Sequence, residues 1–110
     1  MMAEGTVLDI RKVKRAASEA AGVLRLLANE DRLSILCQLT QGEARVGELE
    51  TLLDIKQPTL SQQLGVLRND KIVATRREGK NIYYRVADQR VLALLQLMYE
   101  LFCKKTKGAS

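Results

Sequence analysis

The sequence contains no histidine, and its 110 residues include only two cysteines and one proline. The lack of histidine excludes Ser-His-Asp and Cys-His catalytic sets and every zinc site with an imidazole ligand. Two thiols do not complete a four-thiolate zinc site, so we expect no metal and no cofactor. The chain also lacks a Cys-x-x-Cys pair and a phosphate-cradling glycine loop, and we therefore expect a protein that is not an enzyme.

Long hydrophobic runs are missing too, since none approaches the roughly 18 apolar residues that a membrane span requires. The first ten residues lack the basic start, apolar middle and cleavage site of a secretory signal. We expect a cytoplasmic protein that does not contact a membrane. The length fits one domain, which we place at residues 9–104 between two short tails, a disordered one at 1–8 and another at 105–110.

The positive charge of the chain is concentrated in one segment. Residues 56–85 hold seven basic and two acidic side chains, a net charge of +5, whereas the remaining residues hold eleven of each sign. Such a distribution is typical of a surface that binds a polyanion, although a solvated basic face explains it equally well by charge alone.

Helical periodicity dominates the first half of the chain. Apolar residues recur every three or four positions from Asp9 to Ala28, which predicts a first helix. Asn29 is a suitable N-cap for a second helix that ends near Gly42, and Val46–Leu53 predicts a short third helix. The inward positions of the third helix are expected to be Val46, Leu49, Leu52 and Leu53.

A fourth helix is predicted over Pro58–Asn69, because proline suits the first helical position. Its apolar side is formed by Leu60, Leu64 and Leu67. The opposite side is polar and almost uncharged, unlike the Glu and Lys pairs of an ordinary solvated helix. Its residues are Thr59, Ser61, Gln62, Gln63 and Arg68.

After Lys71 the period changes from 3.6 to 2, which predicts the strands Ile72–Arg77 and Ile82–Val86 around a turn at residues 78–81. Asp88 is then a suitable cap for a fifth helix. The apolar positions of that helix cover most of its circumference, so one side is left to pack on a partner, most economically a second copy of the chain. The expected interface residues are Val91, Leu94, Leu95, Met98, Leu101 and Phe102.

This order of elements predicts a mainly α fold with a two-stranded β wing, a winged helix-turn-helix of five helices that forms a homodimer. The fourth helix would enter the major groove of double-stranded DNA, and the hairpin would neutralise phosphates. A protein-binding helical module is the alternative, and it leaves the concentrated charge unexplained. Expected contacts from the fourth helix are Gln57, Thr59, Ser61, Gln62, Gln63 and Arg68. Expected wing and phosphate contacts are Lys56, Arg76, Arg77, Lys80 and Arg85.

The phrases LLANEDRLSIL, VGELETLL and QPTLSQQLGVLRNDKIVATRREGKNIYYRV resemble the ArsR family of small dimeric bacterial repressors. The phrase QPTLSQQLGVLR and the two cysteines resemble features of one branch of this family, the BigR and SqrR branch, which senses persulfides and reactive sulfur species. The resemblance covers about Asp9 to Lys104 and implies an inverted-repeat operator as the DNA partner. Arg45 departs from it, because many members have Ser or Thr capping the third helix. Metal sensing is not expected, since the third helix has no cysteine and the fifth has no histidine.

The resemblance also implies a role for Cys37 and Cys103, as a redox pair linked by sulfur within one subunit when a reactive sulfur species acts as inducer. Linkage would release the operator. Lys104, Lys105 and Lys107 would stabilise the thiolate of Cys103. Without the resemblance, the favoured interpretation of each cysteine is a small buried apolar residue in a regulator that has no switch. A thiol oxidoreductase is a more remote alternative.

Overall fold

The computed structural model describes residues 9–104, so both expected tails lie outside the described residues. The winged helix-turn-helix with five helices is confirmed, and a third, very short strand joins the hairpin. Within 9–104 no helix has both the length and the apolar character to cross a bilayer. The helices are α1 (Ile10–Leu27), α2 (Glu30–Leu39), α3 (Val46–Leu53), α4 (Thr59–Asn69) and α5 (Gln89–Met98). The strands are β1 (Ala44–Arg45), β2 (Val73–Glu78) and β3 (Asn81–Val86), and a π-helical C-terminal segment (Tyr99–Lys104) follows α5.

Side-chain caps start three of the helices. Asp9 accepts a hydrogen bond from the backbone N–H of Arg11 at 2.9 Å, and Asn29 accepts one from Arg32 at 3.0 Å. Asp88 accepts from the N–H groups of Arg90 and Val91. Hydrogen bonding from the Arg90 side chain, helped by these backbone bonds, lowers the pKa of Asp88. The predicted caps Asn29 and Asp88 are therefore confirmed, and each satisfies N–H groups that a helix start leaves open.

Helix α3 begins at Arg45 without the usual side-chain acceptor, because a guanidinium has only donors. Glu48 supplies the other half of a capping box, since its carboxylate accepts from the Arg45 N–H at 2.8 Å. Leu49 is fully buried, whereas Leu52 is 60% exposed, which corrects the expectation that it faces inward. Each residue advances the helix by about 100°, so Leu52 lies to one side of the stripe through Val46, Leu49 and Leu53.

The sheet is antiparallel with the order β1-β3-β2. Strands β2 and β3 pair from Val73 opposite Val86 to Glu78 opposite Asn81, around a two-residue turn. Gly79 opens that turn at φ 64°, a conformation that glycine adopts without steric cost. Strand β1 pairs Ala44 with Tyr84 and Arg45 with Tyr83. It joins the wing to the start of α3.

The core lies where α2, α3 and α4 meet α5 and the base of the sheet, and every helix contributes to it. Among residues 9–104 no polar or charged residue is buried. Full burial of one Leu or Ile side chain stabilises the fold by about 1.5–3 kcal/mol, so this cluster dominates the folding free energy. The buried residues are Leu27, Ile35, Leu36, Leu39, Ala44, Leu49, Ile55, Leu60, Leu64, Leu67, Ile72, Val73, Val91 and Leu95.

Helix α1, the end of α5 and the C-terminal segment leave apolar side chains exposed. All residues of α1 from Ile10 to Ala20 are exposed, and its only buried residue is Leu27. We call the exposed apolar residues of α1, α5 and the C-terminal segment the outer apolar surface. Its members are Ile10, Val13, Leu24, Leu97, Tyr99, Leu101 and Phe102.

Two residues expected at a dimer interface are instead part of the protomer core. Val91 and Leu95 are 0% and 1% exposed, so they have no surface to offer a partner. Helix α5 turns this side inward because its first two turns pack against the base of the sheet and the helices beneath it. Leu94 and Met98 are half-buried, while Leu101 and Phe102 are 53% and 70% exposed.

Candidate nucleic-acid interface and thiol pair

Helix α4 divides into a buried and an outward side. Leu60, Leu64 and Leu67 are at most 2% exposed and anchor the helix in the core. Gln62 is exposed on the opposite side, and its side chain makes no hydrogen bond within residues 9–104. Ser61 and Arg68 are exposed beside it. An exposed, uncharged amide on an anchored helix is a side chain that can pair with a base edge in the major groove.

The start of α4 is organised by Gln57. Pro58 occupies the N-cap position, so the helix begins one residue later than predicted, and Pro58 has no side-chain acceptor to cap it. The side-chain oxygen of Gln57 accepts instead from the Ser61 backbone N–H at 3.2 Å and from the Ser61 hydroxyl. These two predicted DNA contacts therefore lie together, and Gln57 also stabilises the helix start.

Gln63 differs from its neighbour Gln62 because it is half-buried and already bonded. Its side-chain oxygen accepts from the Arg32 guanidinium at 2.9 Å. The Arg32 Nε donates to the backbone carbonyl of Leu26 at 2.6 Å. Gln63 thus belongs to a contact between α4, α2 and α1. Sequence reasoning missed Arg32, since no local pattern reports a bond across 31 positions of the chain.

On the wing, Arg76 is held by carboxylates. Its Nε donates to both oxygens of Glu43 at 2.8 and 3.0 Å, and its terminal nitrogen donates to Glu78 at 3.3 Å. The guanidinium lies 4.5 Å from the centre of the Tyr83 ring. Hydrogen bonding to Glu43, with further help from Glu78, raises the pKa of Arg76. Arg76 therefore ties the wing to the segment before β1, and its charge is already paired with carboxylates in the absence of DNA.

The other predicted phosphate ligands have no ion-pair partner within the part of the chain that the structure describes. Arg77 and Arg85 occupy opposite faces of the hairpin, because Arg77 pairs with Ile82 and Arg85 with Ala74 in alternate positions of the ladder. Lys80 lies in the turn at the tip. The wing therefore carries exposed cations on both faces and at its end. Lys56 and Arg68 are exposed on the α4 side.

The two thiols are free and come from different elements. Cys37 is half-buried on α2 and packs against the core, while Cys103 is exposed in the C-terminal segment. Burial raises the pKa of the Cys37 thiol, and the charge of a nearby Cys103 thiolate raises it further. Of the lysines expected to stabilise a thiolate, Lys105 and Lys107 lie outside the described residues.

An open groove runs between the end of α2 and the end of α5, one helical turn beyond Cys37. It gives solvent and small molecules access to this side of the molecule. Its lining residues are Thr40, Gln41, Gln96, Leu97, Tyr99 and Glu100.

Comparison with known proteins agrees with this geometry. The family model "Bacterial regulatory protein, arsR family" matches residues 29–75. The biofilm growth-associated repressor of Agrobacterium fabrum is 53% identical over 96 residues, which cover 87% of this chain and 82% of that protein. The crystal structure of the transcriptional repressor BigR from Xylella fastidiosa superposes with a TM-score of 0.82 at 43% identity, covering 88% of this chain and 96% of that one. Reduced HlyU from Vibrio cholerae superposes with a TM-score of 0.81 at 38% identity, covering 84% and 98%.

Proposed function

This chain belongs to the arsR family of bacterial regulatory proteins, and we propose that it is a homodimeric repressor that leaves its operator when sulfur links Cys37 to Cys103. Membership of the family makes it a transcriptional regulator rather than an enzyme. The similar proteins from Agrobacterium fabrum and Xylella fastidiosa are both named as repressors, which favours repression as the output. A regulator of bacterial genes acts in the cytoplasm, where we place the protein.

DNA binding is supported mainly by one observation. The outward side of α4 presents a polar side chain without a hydrogen-bond partner, and cations without an ion-pair partner lie on the adjoining wing. The side-chain amide of Gln62 is exposed and has no hydrogen-bond partner among the described residues, so it is available to a base edge. Arg77, Lys80 and Arg85 are exposed on a wing adjoining the same helix. Phosphate contacts from such cations give salt-dependent affinity, and the helix adds sequence preference.

The outer apolar surface supports the homodimer. A groove between α1 and α5 continues this surface and is lined mainly by apolar side chains, with Glu19 and Arg90 at its rim. A second copy packed there by two-fold symmetry would bury these side chains and present two α4 helices to DNA. Two such helices suit an inverted-repeat operator with half-sites about 34 Å apart.

The two thiols differ in solvent exposure, and this difference sets the order in which they react. Cys103 is exposed and meets a persulfide RSSH first: its thiolate attacks the outer sulfur, forms Cys103–S–SH and releases RS⁻. Cys37, whose pKa is raised, then ionises and attacks the Cys103 sulfur, which forms the disulfide and expels HS⁻. In sum, two thiols and RSSH give the disulfide, RSH and H₂S. Each further RSSH adds one sulfur atom to the bridge and leaves as RSH.

The link acts on DNA binding through the elements that carry the thiols. Cys37 lies on α2, which packs on α4, and Cys103 lies in the C-terminal segment next to Phe102 of the outer apolar surface. A bond between them ties the DNA-reading elements to the dimer surface. A direct disulfide requires Cα atoms within roughly 7 Å, and inserted sulfur atoms relax that requirement. A small rotation of each α4 then costs affinity at both half-sites.

A second candidate is a regulator of the same family whose cysteines only pack. The burial of Cys37 against the core and its raised pKa favour it, since both lower thiol reactivity. This regulator would bind the same DNA in every sulfur state. The two candidates therefore differ only in the response to the inducer.

Mass spectrometry of intact protein separates them. We expect persulfide treatment of the wild type to give an intrasubunit Cys37–Cys103 bridge, and the Cys37→Ser and Cys103→Ser variants to give none. Peroxide serves as the comparison oxidant. Recovery of two separately modified thiols, with no bridge under either reagent, would favour the packed-cysteine candidate.

A further inference from the structure

We propose that Arg32 and Gln63 form a strut that sets the angle between α4 and α1, and that the strut controls which half-site spacing the dimer accepts. This inference rests on the proposed function, because spacing has meaning only for a dimer bound to an inverted repeat. It assigns Arg32 a positioning role, and it removes Gln63 from the residues that read bases.

The strut joins three helices through one guanidinium. Arg32 donates through Nε to the carbonyl of Leu26, in the last turn of α1, and through its terminal nitrogen to the side-chain oxygen of Gln63 on α4. Its own backbone N–H is bonded to the Asn29 cap, so the residue is fixed at the start of α2. A planar guanidinium offers donors in a rigid fork, which lets one side chain orient two partners at once. Arg32 is half-buried, so water competes less for these bonds.

The neighbouring glutamines on α4 have separate tasks. Gln62 and Gln63 point about 100° apart, because each residue rotates the helix by that angle. The Gln62 side chain is exposed and makes no hydrogen bond within 9–104, whereas Gln63 is half-buried and its side-chain oxygen accepts from Arg32. A glutamine that reads adenine needs both its oxygen and its amide nitrogen. Both atoms of the Gln62 amide are available, whereas the Gln63 oxygen already accepts one hydrogen bond in a half-buried position.

Control of spacing follows from the position of α1. Leu24, near the end of α1, belongs to the outer apolar surface, and Leu26, two residues later, holds the strut. The strut therefore lies between the proposed dimer surface and the helix that enters the groove. Without the strut, α4 is held less firmly relative to α1 in both subunits. The distance between the two α4 helices of the dimer is then less strictly set.

The test uses the full-length protein and an inverted repeat selected by the wild type from random DNA. Affinity is measured by fluorescence anisotropy for that repeat and for versions with one base pair inserted or deleted between the half-sites. The variants are Arg32→Lys, Gln63→Met and Gln63→Glu. Lysine keeps the charge and loses the fork, methionine keeps the length and loses the acceptor, and glutamate keeps an acceptor for Arg32 and serves as the rescue control.

We expect the wild type and Gln63→Glu to prefer the selected spacing by about tenfold or more, since a displaced half-site contributes less binding. Arg32→Lys and Gln63→Met should reduce that preference to about threefold or less, with unchanged base preference inside each half-site and an unchanged salt slope. A residue that touches phosphate would alter the slope, and one that reads a base would alter the half-site.

Urea unfolding of each variant checks that it is folded. If Arg32→Lys does not fold, Gln63→Met carries the test, because it changes only a half-buried side chain on an anchored helix. If Gln63→Met prefers the selected spacing as strongly as the wild type does, the proposed role of the strut is wrong and the proposed function is unaffected. A wild type that selects no inverted repeat would overturn both.

Discussion

The DNA-reading half of the molecule and its outer helices differ in how completely their apolar side chains are buried. Helices α2 to α4 and the base of the sheet close around their own core, where Ile35, Leu36 and Leu60 are fully buried. The first half of α1 and the C-terminal segment leave Ile10, Leu101 and similar residues in contact with solvent. The first region specifies the fold of one chain, and the second is the surface on which we propose that two copies assemble.

Helix α5 belongs to both regions. Leu95 is 1% exposed and completes the protomer core, whereas Leu97, two residues later, is 54% exposed. Replacement of Leu95 by alanine should therefore lower the free energy of unfolding by about 2–5 kcal/mol at fixed protein concentration. A loss near that of the exposed control Leu52→Ala would mean that Leu95 is not a core residue.

The largest expected effect on DNA binding comes from a charge on the outer apolar surface. Leu101→Asp should give folded monomers in sedimentation velocity and weaken operator binding by about 100-fold, because the two heads then bind independently. The matched control is Leu52→Asp, a change at an exposed leucine of α3 away from this surface, which should stay dimeric. A Leu101→Asp protein that remains a dimer at micromolar concentration would place the interface elsewhere.

A smaller effect is expected on the reading side of α4. Gln62→Ala should reduce discrimination at one base-pair position of each half-site by about tenfold, as expected for a lost base contact of ~1–3 kcal/mol. Binding-site selection from random DNA measures this directly. Gln96→Ala, on α5, is the control and should select the wild-type sequence. If Gln62→Ala also selects that sequence, Gln62 does not read a base.

The smallest expected effect is on the salt dependence of DNA binding, and it distinguishes two cations of the wing. Lys80→Ala should reduce the slope of log affinity against log salt by about one unit, since one phosphate contact is lost. Arg76→Ala should change it by less, because Glu43 and Glu78 already balance that charge. Anisotropy titrations at several salt concentrations compare the two variants. A full unit lost in Arg76→Ala would show that Arg76 exchanges its carboxylates for phosphate.

Features determined by neighbours along the chain could be predicted from the sequence. The bounds of α3 and the caps Asn29 and Asp88 depend on a few adjacent residues, and the structure agrees with them. The hairpin is also present, but its turn is residues 79–80 rather than 78–81, because Glu78 and Asn81 pair in the ladder. Leu52 was placed wrongly because apolar spacing in an eight-residue helix does not show which stripe meets the core.

The contacts that modify the candidate site link distant positions. Arg32 meets Gln63 across 31 residues, and Arg76 meets Glu43 across 33. Residue type alone marks Gln63 and Arg76 as DNA ligands, and only the fold shows that both are engaged elsewhere. Strand β1 was missed for the same reason, since two residues carry no period and become a strand through Tyr83 and Tyr84.

The central claim is that a Cys37–Cys103 bridge releases the operator, and one titration tests it most directly. Operator affinity is measured for reduced wild type, for a persulfide-treated sample whose bridge is verified by mass, and for that sample after reduction. We predict a loss of about 10- to 100-fold on bridging and full recovery on reduction, with Cys37→Ser and Cys103→Ser unresponsive. Bridged wild type that binds the operator as tightly as the reduced protein would contradict the account.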